Sequence, residues 1–200
     1  PCATLAGGRV VPAVTKEESG FRVLPETVAE LITPKTKMIL LNSPSNPCGS
    51  VATKEDIKGI ADLAKDHDLI VLSDEVYEKI VFDGLKHHSI GAEPGMFDRT
   101  ITISGFSKTY AMTGWRMGWL VAPKPLFKAI GMIQQHSITH ATTFAQYGGL
   151  AALTEPQDCV NAMVQEFSER RDLIMRLMRD IPQLHCDTPK GAFYVFPRYE

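Results

Sequence analysis

A lysine and an arginine, eight residues apart in a stretch rich in small residues, are the side chains best suited to chemistry. The stretch spans residues 104–118 and reads Ser-Gly-Phe-Ser-Lys-Thr-Tyr-Ala-Met-Thr-Gly-Trp-Arg-Met-Gly. An alternating run at 100–103 precedes it and an apolar run at 119–122 follows, which predicts strand, loop, strand. Lys108 would lose hydration at the end of a buried strand, and a poorly hydrated amine is a nucleophile toward carbonyl groups. The guanidinium of Arg116 suits a phosphate, although the spacing alone also fits an ordinary loop.

An acid and a tyrosine follow a second apolar run. Residues 69–72 predict a buried strand, and Ser-Asp-Glu-Val-Tyr comes directly after it. Ligands of open parallel sheets bind at the carboxyl ends of the strands, which makes Asp74 a candidate site residue. Tyr77 would lie on the same side of a helical turn three residues later. Asp74 also fits a helix cap or a surface acid.

An asparagine lies in a turn-rich loop after a third apolar run. Residues 38–41 are continuously apolar, which is typical of a strand buried on both faces. The cluster Asn-Ser-Pro-Ser-Asn-Pro-Cys-Gly at 42–49 predicts a loop that contains Asn46. A plain turn between a strand and a helix is an equally good explanation of this cluster when it is taken alone.

The elements that must position these residues alternate between strand and helix from residue 38 to residue 122. This alternation predicts an α/β fold with a mostly parallel sheet and helices on both of its faces. His87 and His88 fall in a polar connection and are expected at the surface. Further helices are predicted at 25–32, 53–66, 123–135, 144–153 and 158–179, a short edge strand at 8–14, and a strand at 189–196.

Composition excludes several classes of protein. The 200 residues are 44% hydrophobic, which is enough for a real core, and the net charge of −2 gives no basic field for nucleic acid. No apolar run approaches the roughly 18 residues of a membrane span, and no signal peptide is seen. The 4 cysteines are scattered, which favours reduced thiols in a cytoplasmic protein. The chain begins at Pro1, so we expect a central to C-terminal part of a longer protein.

Residues 105–118 resemble the pyridoxal-phosphate attachment signature of class I and II aminotransferases of fold type I, in its aspartate, aromatic and alanine aminotransferase form. The resemblance implies that the cofactor is pyridoxal 5'-phosphate and that Lys108 forms the Schiff base with its aldehyde. It also implies that Arg116 binds the phosphate and that Asp74 pairs with the pyridine nitrogen. Asn46 and Tyr77 would form hydrogen bonds to the 3-oxygen of the cofactor.

The same resemblance leaves two assignments open. Many relatives have a phosphate-binding serine where this chain has Gly105, so Ser107 or Ser104 would take that role, and we assign it to Ser107. Relatives are homodimers in which a polar residue before a helix reaches the cofactor phosphate of the other subunit. Thr142 or Thr143 is the candidate here, although a simple helix cap fits equally well.

The resemblance further implies a division of the chain. Residues 1–156 would be part of the cofactor-binding large domain, and residues 157–200 the connecting helix and the start of a smaller α+β C-terminal domain. Strand 117–122 would run antiparallel beside strand 100–104, with strands 69–73 and 38–42 following outward. The glycine-rich phosphate turn, the ring-stacking aromatic residue and the arginine for the substrate carboxylate are not found. We therefore expect residues 1–200 alone neither to bind the cofactor nor to transaminate.

The sequence thus favours an aminotransferase that moves an amino group between an amino acid and a 2-oxo acid, with Lys108, Asp74 and Tyr77 as catalytic residues. Two alternatives stay open. One is a pyridoxal-phosphate lyase or synthase on the same fold, and the other is the aminotransferase-like domain of a transcription regulator. The side chain of the substrate cannot be inferred from these residues.

Overall fold

A four-stranded sheet lies at the centre of the computed structural model, which describes residues 1–200. Its strands lie in the order β1-β2-β3-β4, with the first three parallel and the fourth antiparallel to β3. The prediction of a mostly parallel sheet in this order is confirmed. The strands are β1 Met38–Asn42, β2 Ile70–Asp74, β3 Thr100–Gly105 and β4 Gly118–Val121.

The chain forms seven α-helices, and the five predicted ones are among them, although the first is shorter than expected. None of the helices combines the length and the hydrophobicity that crossing a membrane requires. The helices are α1 Cys2–Leu5, α2 Pro25–Ala29, α3 Lys54–Asp66, α4 Phe106–Thr109, α5 Lys124–Ser137, α6 Thr143–Thr154 and α7 Asp158–Met178.

Helix α3 begins at a capping box. The amide of Asp56 donates to the hydroxyl of Thr53 over 3.1 Å, and the amide of Thr53 donates to the carboxylate of Asp56 over 2.9 Å. These two bonds satisfy backbone N–H groups that the first turn of a helix leaves free. Arg22 adds a 2.7 Å ion pair to the same carboxylate. The start of α3 is therefore fixed where it leaves the loop that contains Asn46.

The main core lies between α3 and one face of the sheet. Ile39 and Leu41 of β1 point into it, whereas Met38 and Leu40 are 47% and 69% exposed. The prediction that this strand is buried on both faces is wrong, because no element of the chain packs over its second face. The core contains Val28, Ile39, Leu41, Ala52, Ile57, Ile60, Ala61, Ala64, Leu69, Val71, Ile90 and Met96.

Two predicted strands do not form. Residues 8–14 are irregular and largely exposed, since no strand lies beside them to pair with their backbone groups. The 189–196 segment makes only an isolated bridge between Gly191 and Val81, because Ala192 has a φ of 56° and turns the chain out of the extended conformation. Two short strands that were not predicted, β5 Leu184–His185 and β6 Arg198–Tyr199, pair antiparallel instead.

Candidate active site

The candidate site is built at the carboxyl ends of β1, β2 and β3. Asn42 and Asp74 are partners in the register of β1 and β2, and Asp74 pairs with Ile103 of β3. The amide of Asn42 donates to the Asp74 carbonyl over 3.2 Å, and its carbonyl accepts from the backbone N–H of Asn46 over 2.9 Å. These bonds hold the loop that carries Asn46 beside Asp74, as expected for the end of a parallel sheet.

Two tyrosine hydroxyls and an asparagine amide meet in this site. The hydroxyl of Tyr77 lies 2.6 Å from that of Tyr194, and the Asn46 amide donates to the Tyr194 hydroxyl over 3.3 Å. Tyr77 is 3% exposed. Burial, and after it the hydrogen bond with Tyr194, raises the pKa of the Tyr77 phenol. Tyr77 is therefore held as a neutral hydroxyl.

Tyr194 was not predicted as a site residue. It comes from a segment that packs against the Asn46 loop, where the amides of Lys190 and Gly191 both donate to the Gly49 carbonyl over 2.9 Å. A Cβ atom at Gly191 would lie only 2.8 Å from side-chain atoms of Pro44 and Val51, so the segment approaches this closely only with glycine there. Because 148 residues separate Tyr194 from Asn46, no local spacing could have indicated the contact.

An ion cluster anchors helix α7 to the same segment. Arg171 donates to both carboxylate oxygens of Asp83 over 2.9 and 3.0 Å and to the Pro189 carbonyl over 3.3 Å. Lys190 adds a 3.1 Å ion pair to Asp83. The hydrogen bond from Arg171 is the main cause that lowers the pKa of Asp83 to about 2. These bonds therefore anchor the segment that carries Tyr194 to α7 and Asp83.

Lys108 lies in α4, a single helical turn directly after β3, where the sequence predicted a loop. Its amine lies 5.4 Å from the centre of the Phe193 ring and 5.9 Å from the centre of the Tyr77 ring. Such distances fit weak cation–π contacts. The amine forms no hydrogen bond and no ion pair in the structure. It is therefore free to react with a ligand beside Tyr77.

The segment after Lys108 packs closely on α6. A Cβ atom at Gly148 would lie 2.6 Å from the Trp115 ring, and one at Gly149 would clash with Phe106 and Met117. Any larger residue at either position would require these side chains to move. The small residues of α6 thus set the position of the segment that begins with Lys108.

Arg116 is exposed at the outer end of this segment. Its guanidinium donates to the Thr113 carbonyl over 2.7 Å and has no acidic partner. Its backbone has a φ of 51°, in the left-handed region. The structure thus leaves most donors of Arg116 free but does not bring them into contact with Lys108 or Tyr77. The assignment of Arg116 to a phosphate stays a prediction.

The two candidate serines differ in their surroundings. The Ser104 hydroxyl is buried and lies within hydrogen-bond distance of the Glu75 carbonyl, at 3.4 Å. The Ser107 hydroxyl, one residue before Lys108, is half-buried and makes no hydrogen bond. Ser107 is therefore the more available of the two, and its role stays a prediction.

Asp74 supplies a half-buried carboxylate without a cationic partner. Its single hydrogen bond comes from the Val76 amide over 3.3 Å. The site thus offers a ligand three kinds of group. These are the unpaired carboxylate of Asp74, the unpaired amine of Lys108 and the neutral hydrogen-bond donors of Asn46 and Tyr77. This set fits a ligand that carries a carbonyl group, an acceptor oxygen and a cationic ring nitrogen, which are the groups of pyridoxal phosphate.

His87 lies behind this site, and the expectation that it is at the surface is wrong. Its side chain is 10% exposed, and its Nε2 lies 2.8 Å from the carboxylate of the buried Glu75. The ring lies inside the protein, where its Nε2 is hydrogen-bonded to the buried Glu75 carboxylate. Sequence reasoning missed Glu75 because a glutamate has no apolar periodicity to indicate burial.

Thr142 and Thr143 are both exposed at the start of α6. Thr142 occupies the position before the first helical residue, yet its side chain makes no capping hydrogen bond. The cap explanation thus gains no support, and the contact with a second subunit stays a prediction.

Comparison with known proteins agrees with this geometry. The family Aminotransferase class I and II matches residues 1–200. The chain is 45% identical to the aromatic-amino-acid aminotransferase 2 of Thermococcus litoralis over 200 residues, which cover 99% of this chain and 51% of that protein. An aspartate aminotransferase of Pyrococcus abyssi is also 45% identical, with the same coverage.

Solved structures give the same result. The crystal structure of an aromatic aminotransferase from Pyrococcus horikoshii superposes with a TM-score of 0.96 at 44% identity, and the match covers 99% of this chain and 53% of that one. The Thermus thermophilus aspartate aminotransferase with maleate gives a TM-score of 0.89 at 40% identity, over 96% of this chain and 50% of that one. The chain spans about half the length of the curated relatives it matches.

Proposed function

The chain belongs to the family of class I and II aminotransferases, and on that premise we propose that the complete protein is a pyridoxal-phosphate-dependent aminotransferase. It would move an amino group between an amino acid and a 2-oxo acid. The observation that carries the proposal is the position of the free Lys108 amine. It lies beside Tyr77, which belongs to a hydrogen-bonded group with Tyr194 and Asn46. Lys108 and this group together contain the nucleophile and the donors that the cofactor needs.

The residues that would hold the cofactor follow from the donor set. Lys108 supplies the amine for its carbonyl carbon, and Asp74 the carboxylate for its ring nitrogen. Asn46 and Tyr77 supply donors for its 3-oxygen, while Ser107 and Arg116 supply donors for its phosphate. The aldehyde of the bound cofactor takes up amino groups, and its ring accepts the electrons released at the α-carbon of the substrate.

The chain itself contributes proton transfer and electrostatics. Once the amino acid has displaced it from the cofactor, the Lys108 amine would take the proton from the α-carbon of the amino acid as a general base and deliver it to the C4′ carbon of the cofactor as a general acid. The Asp74 carboxylate stabilises a proton on the ring nitrogen, because an opposite charge within contact distance favours the charged form. The buried Tyr77 hydroxyl stays neutral, since burial and Tyr194 raise its pKa, and it can therefore donate to an oxyanion.

Further parts of the proposal concern organisation and setting. Residues 1–156 would be the large-domain part, since β1 to β4 and α3 all lie within them, and residues 157–200 would be the connecting helix and the start of the small domain. We also propose a homodimer, by analogy with the family, and a cytoplasmic location, because the 4 cysteines are all unpaired in the structure.

The proposal is tested with the complete protein, pyridoxal phosphate and pairs of substrates. Aspartate and aromatic amino acids are the first to try, because the names of the relatives include them. We expect the amino acid to become its 2-oxo acid and a supplied 2-oxo acid, such as 2-oxoglutarate, to become an amino acid. Pyruvate with ammonia, or a cyclised product, without a new amino acid would show a lyase or synthase instead.

Arg116→Ala should weaken the binding of pyridoxal phosphate far more than Arg9→Ala or Arg179→Ala. A guanidinium that contacts a phosphate forms charge-assisted bonds worth about twice a neutral one, whereas an exposed charge contributes little. The measurement is the dissociation constant from titration of the visible cofactor band. Equal constants in all three variants would remove Arg116 from the site.

A further inference from the structure

A buried carboxylate and a buried imidazole form a network directly behind the candidate site. The side chains of Glu75 and His87 are 3% and 10% exposed. One carboxylate oxygen of Glu75 accepts from the hydroxyls of Ser73 and Ser89 over 2.8 and 2.9 Å, and the other lies 2.8 Å from Nε2 of His87. A buried carboxylate is costly unless its lone pairs are satisfied, and here three donors satisfy it.

The backbone of Glu75 links the end of β2 to β3. Its N–H donates to the Ile103 carbonyl over 2.8 Å, and its carbonyl accepts from the Glu78 amide over 2.9 Å. The Ser104 hydroxyl reaches the same carbonyl over 3.4 Å. Ile103 and Ser104 belong to the strand that leads directly into the helical turn of Lys108. Glu75 is thus bonded to the strand that positions the candidate nucleophile.

We propose that Glu75 and His87 are positioning residues, which hold Asp74 and Tyr77 in place relative to Lys108. Glu75 follows Asp74 directly and precedes Tyr77 by two residues, so anchoring Glu75 restrains both neighbours. This inference rests on the proposed function, because that function supplies the ligand that Asp74 and Tyr77 would contact.

The proton on the imidazole follows from its contacts. Nε2 must carry hydrogen to donate to the carboxylate, whereas Nδ1 is buried without a partner. His87 therefore acts as a hydrogen-bond donor, and a glutamine, whose amide reaches a comparable distance, should replace it.

The test uses the complete protein and four variants: His87→Ala, His87→Gln, Glu75→Gln and, as a matched control, Asp56→Asn. Asp56 also has a buried, ion-paired carboxylate, 8% exposed, but it lies at the start of α3, away from the site. We expect His87→Ala and Glu75→Gln to raise the dissociation constant for pyridoxal phosphate about tenfold or more, the effect typical of losing an orienting partner. His87→Gln and Asp56→Asn should stay within about twofold of the parent, well below that range.

A second measurement needs no cofactor. Amide hydrogen exchange in the cofactor-free proteins should be faster in the 74–78 segment of His87→Ala, and unchanged there in His87→Gln and Asp56→Asn. Equal exchange in this segment for His87→Ala and Asp56→Asn would overturn the inference, as would an unchanged dissociation constant. If Glu75→Gln does not fold, His87→Ala decides alone. A parent protein that fails to bind the cofactor would contradict the proposed function, and hydrogen exchange would still decide the positioning role.

Discussion

We expect Lys108→Ala to abolish the covalent attachment of pyridoxal phosphate to the complete protein and to lower transamination by about 10²- to 10⁴-fold or more through the loss of proton transfer. The reason is structural. The amine of Lys108 is unpaired and lies over the rings of Phe193 and Tyr77. The amine of Lys190, the lysine in the segment that carries Tyr194, is not free, because it forms a 3.1 Å ion pair with Asp83.

The measurement is borohydride reduction of the cofactor-loaded protein followed by peptide mass mapping. We expect the label on the peptide that contains Lys108 in the parent and none in Lys108→Ala. Lys190→Ala is the control, since Lys190 is a half-exposed lysine in the segment that carries Tyr194. In this variant the label should remain on the peptide that contains Lys108. A label on any other lysine of the parent protein would contradict the assignment of the nucleophile.

Local sequence signals predicted the frame of the site well. The helix predicted at 53–66 is α3, which begins and ends within one residue of these bounds. The apolar runs gave the positions of β1 and β2, while their order and the antiparallel direction of β4 came from the resemblance. Because parallel strands end at one edge of a sheet, Asn46, Asp74 and Lys108 could be expected near one another.

The parts that the sequence did not predict depend on contacts between distant residues. Tyr194 reaches Tyr77 across 117 positions, and the buried His87 contacts Glu75 across 12 positions. A single helical turn such as α4 is too short to show helical periodicity. Residues 8–14 show the opposite error, since an extended apolar pattern forms a strand only where a partner strand is present.

The Tyr77–Tyr194 contact gives the site a feature that the motif alone does not contain. Two hydroxyls 2.6 Å apart share one hydrogen bond, and the Asn46 amide donates to the second of them. A ligand oxygen placed between Asn46 and Tyr77 would compete with the Tyr194 hydroxyl for the hydrogen bonds of both residues. Tyr194 therefore keeps these donors satisfied in the protein without a ligand, where an unpaired buried hydroxyl would be costly.

We expect Asp74→Asn to leave the protein able to attach pyridoxal phosphate but to lower the rate of proton removal from the amino acid by several orders of magnitude. The Asp74 carboxylate has no cationic partner in the structure and accepts only one hydrogen bond, from Val76. It is therefore available to stabilise a proton on the ring nitrogen, and a neutral amide cannot do so. Without that proton the ring is a poorer acceptor for the electrons of the α-carbon.

The rate is measured in single turnovers with an α-deuterated amino acid, so that removal of the proton is observed separately from product release. Asp74→Glu should be milder, because it keeps the charge and changes only the reach of the side chain. Titration of the cofactor band in each variant shows whether binding is intact. A rate for Asp74→Asn within about tenfold of the parent, equivalent to roughly 1.4 kcal/mol, would place the essential carboxylate elsewhere.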